Sequence, residues 1–254
     1  MIENGKKIWI TGASSGIGKA LAIKFSNNGW KVAVSARREN LLKELSNQNS
    51  NIHSFPLDVT SEEETKNIFQ NIIKKFKTMN ISAFCTGIHD PDSEKKLSSE
   101  KIREIMETNF FGTLNCIMAA NAFFRENKSG HISIVASVAG YRGLPAASGY
   151  CASKSALISL TESLYFDFKR HNVRVSVINP GFIKTPMTDK NKFPMPMIKS
   201  SEFAAEKIFI GLTKKNAFEI HFPLVFTMLM KLLKIMPNWL YLMIASKGMK
   251  KIKL

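Results

Sequence analysis

Metal-ligand clusters and paired cysteines are missing from this chain of 254 residues. The three cysteines, Cys85, Cys116 and Cys151, are odd in number and widely spaced, and they form no CxxC pair. That spacing argues against a disulfide framework and against a zinc site. The five histidines stand singly along the chain, so no metal is expected. Together these absences predict a reducing compartment.

A long apolar leader is missing as well. The first residues, MIENGKKIWIT, hold an apolar run of only three residues before Thr11, far shorter than the core of a secretory signal, so we expect a cytoplasmic protein. No linker rich in proline, glycine, serine or charge divides the chain, which predicts one domain at residues 1–222 and an extension at residues 223–254. The net charge of +16 has no nucleic-acid-binding motif behind it, so no nucleic-acid partner is expected.

Short apolar runs rich in isoleucine and valine alternate with stretches of helical spacing. The runs predict strands at residues 7–11, 31–35, 52–57, 81–85, 131–136 and 173–178, and the other stretches predict helices near residues 97–126, 149–171 and 201–213. The clearest helix start is Ser61 followed by Glu64, which have capping-box spacing. Strands that are apolar on both faces and alternate with helices are typical of a parallel sheet covered on both sides. The pattern predicts an α/β, doubly wound fold.

The segment TGASSGIG at residues 11–18 places Gly12, Gly16 and Gly18 directly after the first strand, where a helix must begin. Glycine lets the backbone approach a ligand closely, and the amides of a helix start favour an anion. A dinucleotide pyrophosphate fits that arrangement. The alternative is a plain tight turn between strand and helix, because a lone glycine pattern has many false positives.

Further motifs follow in order: Asn109 in METNFFGT, then Ser137, then Tyr150 and Lys154 in a YxxxK pattern, and a later NPG. Together with TGASSGIG they resemble the short-chain dehydrogenase/reductase family in its shorter, single-domain subtype, over about residues 6–220. The resemblance implies a Rossmann fold with a mostly parallel seven-stranded sheet and helices on both faces, followed here by a short C-terminal helical appendage. It also implies the catalytic residues Asn109, Ser137, Tyr150 and Lys154.

The resemblance further implies phosphate contacts by the glycine loop, adenine contacts by Asp58 and Val59, and contacts with the nicotinamide carboxamide and a phosphate by Ile183 and Thr185. The whole implied cofactor site is Gly12, Ser14, Ser15, Gly16, Ile17, Gly18, Arg37, Arg38, Asp58, Val59, Thr86, Gly87, Tyr150, Lys154, Pro180, Gly181, Ile183 and Thr185. The family usually has NAG where this chain has Cys-Thr-Gly, so Cys85 is left out of the expected site. We expect that departure to affect stability or cofactor geometry rather than the chemical step.

The residues at the end of the second apolar run, residues 31–35, bear on which nicotinamide cofactor is used. An NAD-specific protein is expected to carry an acidic residue there for the ribose hydroxyls, and none is present from Ser35 to Arg38. Arg37 and Arg38 can instead pair with a phosphate through charge-assisted hydrogen bonds. By resemblance Arg37 is the main contact and Arg38 stacks or assists, which favours NADP(H) over NAD(H). The alternative is a solvated pair at a helix start, with Arg38 facing glutamates.

Two YxxxK pairs compete for the catalytic role. Tyr150 lies thirteen residues after Ser137, which is the spacing of the family, whereas Tyr165 has no such partner and is expected to pack. A cation held near a phenol favours its charged form and lowers its pKa. Tyr150, assisted by Lys154, would exchange a proton with a carbonyl or alcohol oxygen. By resemblance Ser137 holds that oxygen, and Asn109 fixes a water that links Lys154 to solvent.

The last part of the chain carries a predicted lid and the extension. Residues 186–212 occupy the usual position of a mobile lid, and a phenylalanine and methionines within them favour an apolar substrate. After Glu219 the chain has six lysines and no acidic residue, and its apolar stretches are too short to cross a bilayer. These features fit a peripheral anchor on an anionic membrane surface at the cytoplasmic face. A roof over the substrate pocket and a subunit interface fit them equally well.

The leading hypothesis is an NADP(H)-dependent oxidoreductase that interconverts a carbonyl and an alcohol on a small apolar molecule, as a homodimer or homotetramer. Its first rival is a cofactor-binding regulatory or scaffold protein without turnover, against which the four retained catalytic residues argue. A second rival is an epimerase or dehydratase of the same fold, which would normally need a larger substrate domain than the chain provides after residue 180.

Overall fold

A sheet of seven parallel strands forms the centre of the computed structural model, which describes residues 5–91, 96–215 and 217–251. The strands are β1 Lys7–Thr11, β2 Lys31–Ser35, β3 Ile52–Ser54, β4 Ile81–Phe84, β5 His131–Val135, β6 Arg174–Pro180 and β7 Glu219–Phe222. They lie in the order β3-β2-β1-β4-β5-β6-β7, and every neighbouring pair is parallel. This architecture confirms the doubly wound α/β fold and the seven-stranded sheet. The apolar runs did not locate β7, because this edge strand alternates polar with apolar residues.

Helices cover both faces of the sheet. Their bounds are α1 Gly16–Asn27, α2 Glu39–Gln48, α3 Glu62–Phe76, α4 Ser99–Met106, α5 Gly112–Glu126, α6 Ser148–Lys169, α7 Ser201–Thr213, α8 Leu224–Ile235 and α9 Asn238–Lys251. A π-helical turn, Glu107–Phe111, joins α4 to α5 and interrupts the helix expected over residues 97–126. Such turns are rare and frequently lie at functional sites, and this one carries Asn109.

Alternate residues of the central strand face opposite layers of helices. Ile8 and Ile10 pack with α1 and α7 on one side, while Trp9 between them packs with α3 and α5 on the other. Trp9 is fully buried, and its indole N–H donates to Ser35 Oγ at 3.0 Å. Because both faces of the sheet are covered in this way, side chains reach solvent mainly from the loops beyond the strand ends.

The sheet changes its winding direction at β1, which has β2 on one side and β4 on the other. In open parallel sheets, ligands bind beyond the carboxyl ends of the strands at such a switch point. The loops that follow β1, β2, β4, β5 and β6 therefore meet along one edge of the sheet. That edge is where a functional site is expected.

The C-terminal extension is tied to the sheet by Glu219, the first residue of β7. Its carboxylate accepts hydrogen bonds from the Tyr141 hydroxyl, from Asn179 Nδ2 at 2.7 Å and from Lys231 Nζ of α8 at 2.5 Å. Burial alone would raise the pKa of Glu219, but these hydrogen bonds outweigh burial and hold the pKa below its usual value. One carboxylate therefore joins β6, β7, α8 and the loop after β5.

The last helix, α9, is fixed to the same loop. Tyr241 donates through its hydroxyl to the Gly143 carbonyl, and Arg142 donates to Asn238 Oδ1 at 2.6 Å. The Arg142 guanidinium also lies 4.5 Å from the centre of the Tyr241 ring.

No helix within the described residues is both long and apolar enough to cross a membrane. Residues 252–254 of the extension lie outside the described part of the chain.

His131 is expected to give the fold a dependence on pH. Its ring is buried at the start of β5, where Nε2 shares a hydrogen bond of 2.7 Å with Ser176 Oγ. Burial, with a further contribution from the positive charge of Arg174, lowers the pKa of His131 from 6.5 to about 3. Between those values the unfolded chain binds a proton that the folded chain does not, so the free energy of unfolding falls as the pH falls.

We expect the free energy of unfolding to be about 2 kcal/mol lower near pH 5 than near pH 8 because of this histidine. Urea unfolding at the two pH values measures the difference. The variant His131→Gln has no titrating ring but keeps a group that can hydrogen-bond Ser176, so its difference should be smaller by about that amount. An equal pH dependence in the two proteins would contradict the assignment.

Candidate active site

A cavity of about 490 Å³ opens at the carboxyl ends of the central strands. Every residue predicted to bind the cofactor lines it: Gly12, Ser14, Ser15, Gly16, Ile17, Gly18, Arg37, Arg38, Asp58, Val59, Thr86, Gly87, Tyr150, Lys154, Pro180, Gly181, Ile183 and Thr185. The predicted catalytic residue Ser137 lines it too. The structure thus brings these residues to one place, and their individual roles stay predictions. Within the described residues, no group of three or more histidine, cysteine or acidic side chains could hold a metal ion.

The loop after β1 is shaped by its glycines. Gly12 and Gly16 have φ of 65° and 55°, in the left-handed region that other residues rarely adopt. A Cβ on Gly18 would lie 2.4 Å from the Gly12 carbonyl oxygen, so the first turn of α1 packs directly against the end of β1. The N-cap residue Ser15 makes no side-chain hydrogen bond to the helix start. The first amides of α1 are therefore available to a ligand, and the helix dipole favours an anion.

Thr86 in the loop after β4 also fits a bound ligand. Its hydroxyl is buried at the cavity and has no hydrogen-bond partner within the described part of the chain. The loop approaches the glycine turn closely, since a Cβ on Gly12 would lie 2.8 Å from the Thr86 nitrogen. A buried hydroxyl without a partner is costly, so a polar ligand group beside it would be stabilising. The glycine turn and Thr86 together fit a dinucleotide.

Two arginines stand where β2 ends. Arg38 Nη2 donates to Ser14 Oγ at 2.7 Å and to Ser15 Oγ at 2.8 Å, and Arg38 Nε donates to Ser14 Oγ at 3.1 Å. Arg37 is exposed at the rim of the same cavity. The hydrogen bonds of Arg38 thus go to two serines of the glycine loop rather than to glutamates. They place one guanidinium across that loop before any ligand is bound.

The loop after β3 is fixed at the cavity by short-range hydrogen bonds. Asp58 Oδ1 accepts from the Thr60 amide at 3.1 Å and from the Thr60 hydroxyl at 2.9 Å. Ser61 caps α3 by accepting from the Glu64 amide at 3.2 Å, as the sequence predicted. The Glu64 carboxylate, however, accepts from the Asp58 amide at 3.3 Å. Only half of the capping box is present, because Glu64 holds Asp58 rather than Ser61.

Tyr150 and Lys154 lie one turn apart on α6 and both line the cavity. Lys154 is buried, and its Nζ donates to the Val135 carbonyl at 2.9 Å and lies 5.7 Å from the centre of the Tyr150 ring. Burial lowers the pKa of Lys154 to about 8, so the ammonium is mostly protonated at neutral pH. Ser137 Oγ accepts from the Ala139 amide at 3.1 Å, which fixes the position of the hydroxyl. A buried cation next to a phenol can stabilise negative charge on the phenol oxygen.

Asn109 is not among the described residues that line the cavity. It is buried in the π-helical turn, where Oδ1 accepts from the Ile88 amide at 2.7 Å. Its Nδ2 donates to the Ile88 carbonyl and to Ser153 Oγ, both at 3.0 Å. A Cβ on Gly87 would lie 3.3 Å from Lys154 Nζ and 3.5 Å from Asn109 Oδ1, so the two side chains flank Gly87. These contacts make Asn109 a positioning residue for the loop after β4, and its expected water contact stays a prediction.

The loop after β4 also contributes two residues that were not part of the expected site. Cys85 lines the cavity, and burial raises the pKa of its thiol to about 12, so the thiol stays protonated. His89 lines the cavity as well, and its ring lies 4.5 Å from the Tyr150 ring at an angle of 35°. Both residues follow soon after a parallel strand, and that position was the signal from which they could have been predicted as site residues. Tyr165 of the second YxxxK pair is not among the lining residues, and its ring packs edge-on against Phe218 at 5.4 Å.

The fold and cavity are those of a doubly wound α/β protein with a glycine-rich site and a tyrosine–lysine pair, and comparison with known proteins identifies its family. Residues 6–194 match the family described as short chain dehydrogenase. An uncharacterized oxidoreductase of Myxococcus xanthus is 32% identical over 236 residues, which cover 91% of this chain and 93% of that protein. The 3-oxoacyl-(acyl-carrier-protein) reductase FabG of Thermotoga maritima is 30% identical over 211 residues, which cover 82% of this chain and 84% of that protein. The chain therefore belongs to the short-chain dehydrogenase/reductase family of oxidoreductases.

Solved structures share the fold. The protein ElxO with bound NADP has a TM-score of 0.75 and 26% identity, over 85% of this chain and 97% of that one. A short chain dehydrogenase/reductase of Burkholderia phymatum in complex with NAD has a TM-score of 0.78 over 91% of this chain and 94% of that one, but only 21% identity. The second likeness bears on the fold alone.

Proposed function

We propose that the chain is an NADP(H)-dependent oxidoreductase that moves a hydride between the nicotinamide and a carbonyl or alcohol group of an apolar substrate. The observation that carries the proposal is that Tyr150, beside the buried Lys154, lines the same cavity as the glycine loop. A protein that only binds the cofactor needs the glycines but not a proton donor beside a buried cation. Similarity to a 3-oxoacyl reductase and to an NADP complex supports the same function.

The residues of the cavity fit a dinucleotide with an additional phosphate. The first amides of α1 would hold the pyrophosphate, and the buried Thr86 hydroxyl would hydrogen-bond a polar group of the cofactor. Arg37 and Arg38 would hold the ribose phosphate through charge-assisted hydrogen bonds. When bound, the cofactor supplies or accepts the hydride.

The chain itself supplies the proton and holds the reacting oxygen. In reduction, Tyr150 gives its hydroxyl proton to the carbonyl oxygen, and in oxidation it takes the proton of the alcohol. The Lys154 ammonium stabilises the resulting negative charge on the phenol oxygen. Ser137 already accepts a bond from the Ala139 amide, so its hydroxyl proton can be donated to the same substrate oxygen. Asn109 keeps the loop beside Lys154 in place.

An apolar substrate is favoured by the apolar side chains in and next to the loop after β6. The Phe182 ring lies 6.1 Å from the Phe193 ring and 5.4 Å from the Phe226 ring of α8. Met187 lines the cavity in the same loop. Met187 and the neighbouring Ile183 offer a carbonyl compound an apolar surface next to a small number of polar groups, which is the usual composition of a ligand pocket.

A homodimer or homotetramer is part of the proposal. Met118 on α5 and Phe166 on α6 are large apolar side chains that are 55% and 64% exposed. Association of these helices with those of a second copy would cover both side chains. Light scattering during size-exclusion chromatography tests this, and a purely monomeric protein would contradict it.

The proposed activity is tested by following the ultraviolet absorbance of NADPH over a panel of apolar ketones and aldehydes. Consumption that requires both the protein and a carbonyl compound is the expected result. Tight binding of NADPH without turnover on any member of the panel would instead favour a regulatory or scaffold protein. Retained cofactor and altered substrate without net NADPH consumption would favour an epimerase or dehydratase.

Substitution of Arg37 tests the preference for NADP(H). Because Arg37→Gln loses a charge-assisted contact with the ribose phosphate, we expect the KM for NADPH to rise by about tenfold to a hundredfold while the KM for NADH changes little. Arg38 is a poorer choice, since its removal would also release Ser14 and Ser15. The control is Arg170→Gln, an exposed arginine beyond the end of α6. An equal rise of the KM for both cofactors would contradict a phosphate contact.

A further inference from the structure

Helices α8 and α9 both present large apolar side chains to solvent. Six side chains of α8 are between 52% and 78% exposed, namely Leu224, Val225, Met228, Leu229, Leu232 and Ile235. On α9, Trp239 and Leu242 are 69% and 59% exposed. We call these eight residues the apolar face. Scattered exposed apolar residues are normal, but the six residues of α8 recur at helical spacing and share one face of that helix, which is typical of an interaction site.

The orientation of both helices is set by contacts on their opposite sides. Phe226 and Met230 of α8 are buried in the core, and Tyr241 of α9 is buried with its hydroxyl on the Gly143 carbonyl. Lys231 of α8 is hydrogen-bonded to Glu219. The helices therefore cannot turn the apolar face inward without breaking these contacts. The exposed face belongs to the folded extension.

The distribution of charge indicates what covers this face. After Glu219 the chain contains six lysines and no acidic residue, and Lys234 and Lys247 are exposed on the two helices. A symmetric contact between two copies would bring the same basic segment of each together, without a carboxylate from either segment. An anionic lipid surface supplies the missing negative charge, and its headgroup region is where exposed tryptophan is favoured. We propose that α8 and α9 lie in the surface of an anionic lipid bilayer, with the apolar face inserted.

Helix α8 packs against a loop that lines the cavity. A Cβ on Gly181 would lie 2.7 Å from Phe226 Cδ1, so α8 packs directly on the loop after β6. Helix α8 therefore contacts a residue of the cavity lining on its buried side and carries its part of the apolar face on its exposed side. The docking itself does not depend on which reaction the cavity performs.

Vesicle flotation tests the proposal with the full-length protein. Vesicles of phosphatidylcholine mixed with phosphatidylglycerol should carry the protein, and vesicles of phosphatidylcholine alone should carry much less. The variant Leu232→Ser/Trp239→Ser/Leu242→Ser changes only exposed side chains, and its binding should fall on the order of tenfold or more. The matched control Leu97→Ser replaces an apolar residue that is 70% exposed, outside both the apolar face and the proposed contact between copies, and it should bind as the wild type does.

Charge is tested separately. Lys247→Gln should weaken binding to the phosphatidylglycerol vesicles by about fivefold, whereas Lys66→Gln, an exposed lysine of α3, should leave it unchanged. Equal binding to both kinds of vesicle, or no binding to either, would overturn the anionic-lipid proposal. If the triple variant instead changed the oligomeric state without vesicles, the apolar face would be an interface between copies, and the proposal would again be wrong.

Tryptophan fluorescence reports on the location of the contact. Of the three tryptophans, Trp9 and Trp30 are 0% and 8% exposed, so a change on vesicle addition comes chiefly from Trp239. We expect its emission to shift to shorter wavelength and to become less accessible to an aqueous quencher. Vesicle binding with unchanged emission would place the contact elsewhere on the protein and overturn the proposal.

Discussion

Tyr150→Phe is expected to lower turnover by orders of magnitude while the protein still folds and still binds NADPH. The substitution removes only the phenol oxygen, and with it the proton that would pass to the substrate. Because general acid catalysis contributes on the order of 10²- to 10⁴-fold, kcat should fall by about that factor. The phenyl ring that remains keeps its contacts with His89 and Lys154. The measurements are NADPH oxidation with the best substrate of the panel and calorimetric titration with NADPH.

The chain contains a matched control for this experiment. Tyr165→Phe makes the same chemical change in the second YxxxK pair, whose ring packs against Phe218 outside the cavity lining. Its kcat should stay close to that of the wild type. A similar loss in both variants, or a kcat of Tyr150→Phe within about threefold of the wild type, would contradict the role of Tyr150 as proton donor.

Gly18→Ala is expected to remove most of the cofactor affinity. The new Cβ would lie 2.4 Å from the Gly12 carbonyl oxygen and 2.8 Å from the Gly12 carbonyl carbon. Both neighbours are backbone atoms, so no side-chain rotation can relieve the clash, and the first turn of α1 has to move away from β1. Since that turn supplies the amides for the phosphates, we expect NADPH affinity to fall on the order of a hundredfold or more. The free energy of unfolding should fall by about 1–3 kcal/mol.

Gly143→Ala is the control for Gly18→Ala. A Cβ at Gly143 would have no atom of the described residues within 4 Å, so the same substitution should leave both NADPH affinity and stability nearly unchanged. Calorimetric titration and urea unfolding of the two variants separate a local clash from a general effect of replacing glycine. Wild-type NADPH affinity in Gly18→Ala would show that the position of the first turn of α1 does not govern binding.

Much of the fold could be predicted because its strands are short apolar runs between helical stretches. Buried parallel strands are apolar on both faces, so β1 and β2 were located to the residue. The edge strand β7 was not located, since its Glu219 and His221 are half-buried and the run is not continuously apolar. The π-helical turn was not predicted either, because helical periodicity continues on both sides of it and only one extra residue is inserted.

The site could be predicted as a set of residues but not as a set of contacts. The order of the motifs predicted that the glycine loop, Ser137, Tyr150 and Lys154 share one site, and all of them line the same cavity. The partners of Arg38 depend on how closely two loops approach, and no local pattern encodes the distance between the loops after β1 and β2. The same holds for His89, whose contact with the Tyr150 ring joins α6 to the loop after β4. Contacts between side chains of different loops at the sheet edge could be found only from the structure.

The contacts of Glu219 have a consequence for how the extension can be studied. A chain truncated before residue 223 would lose Lys231 and leave a half-buried carboxylate with only the uncharged donors Tyr141 and Asn179. Such a carboxylate would take up a proton more readily, because burial would no longer be opposed by a cation. Phe226 of α8 packs on Gly181 of the cavity lining, so a truncated chain would also lose a contact of the cavity. Lost activity or lost lipid binding in that chain would not separate the two functions, whereas single substitutions on the solvent side of α8 would.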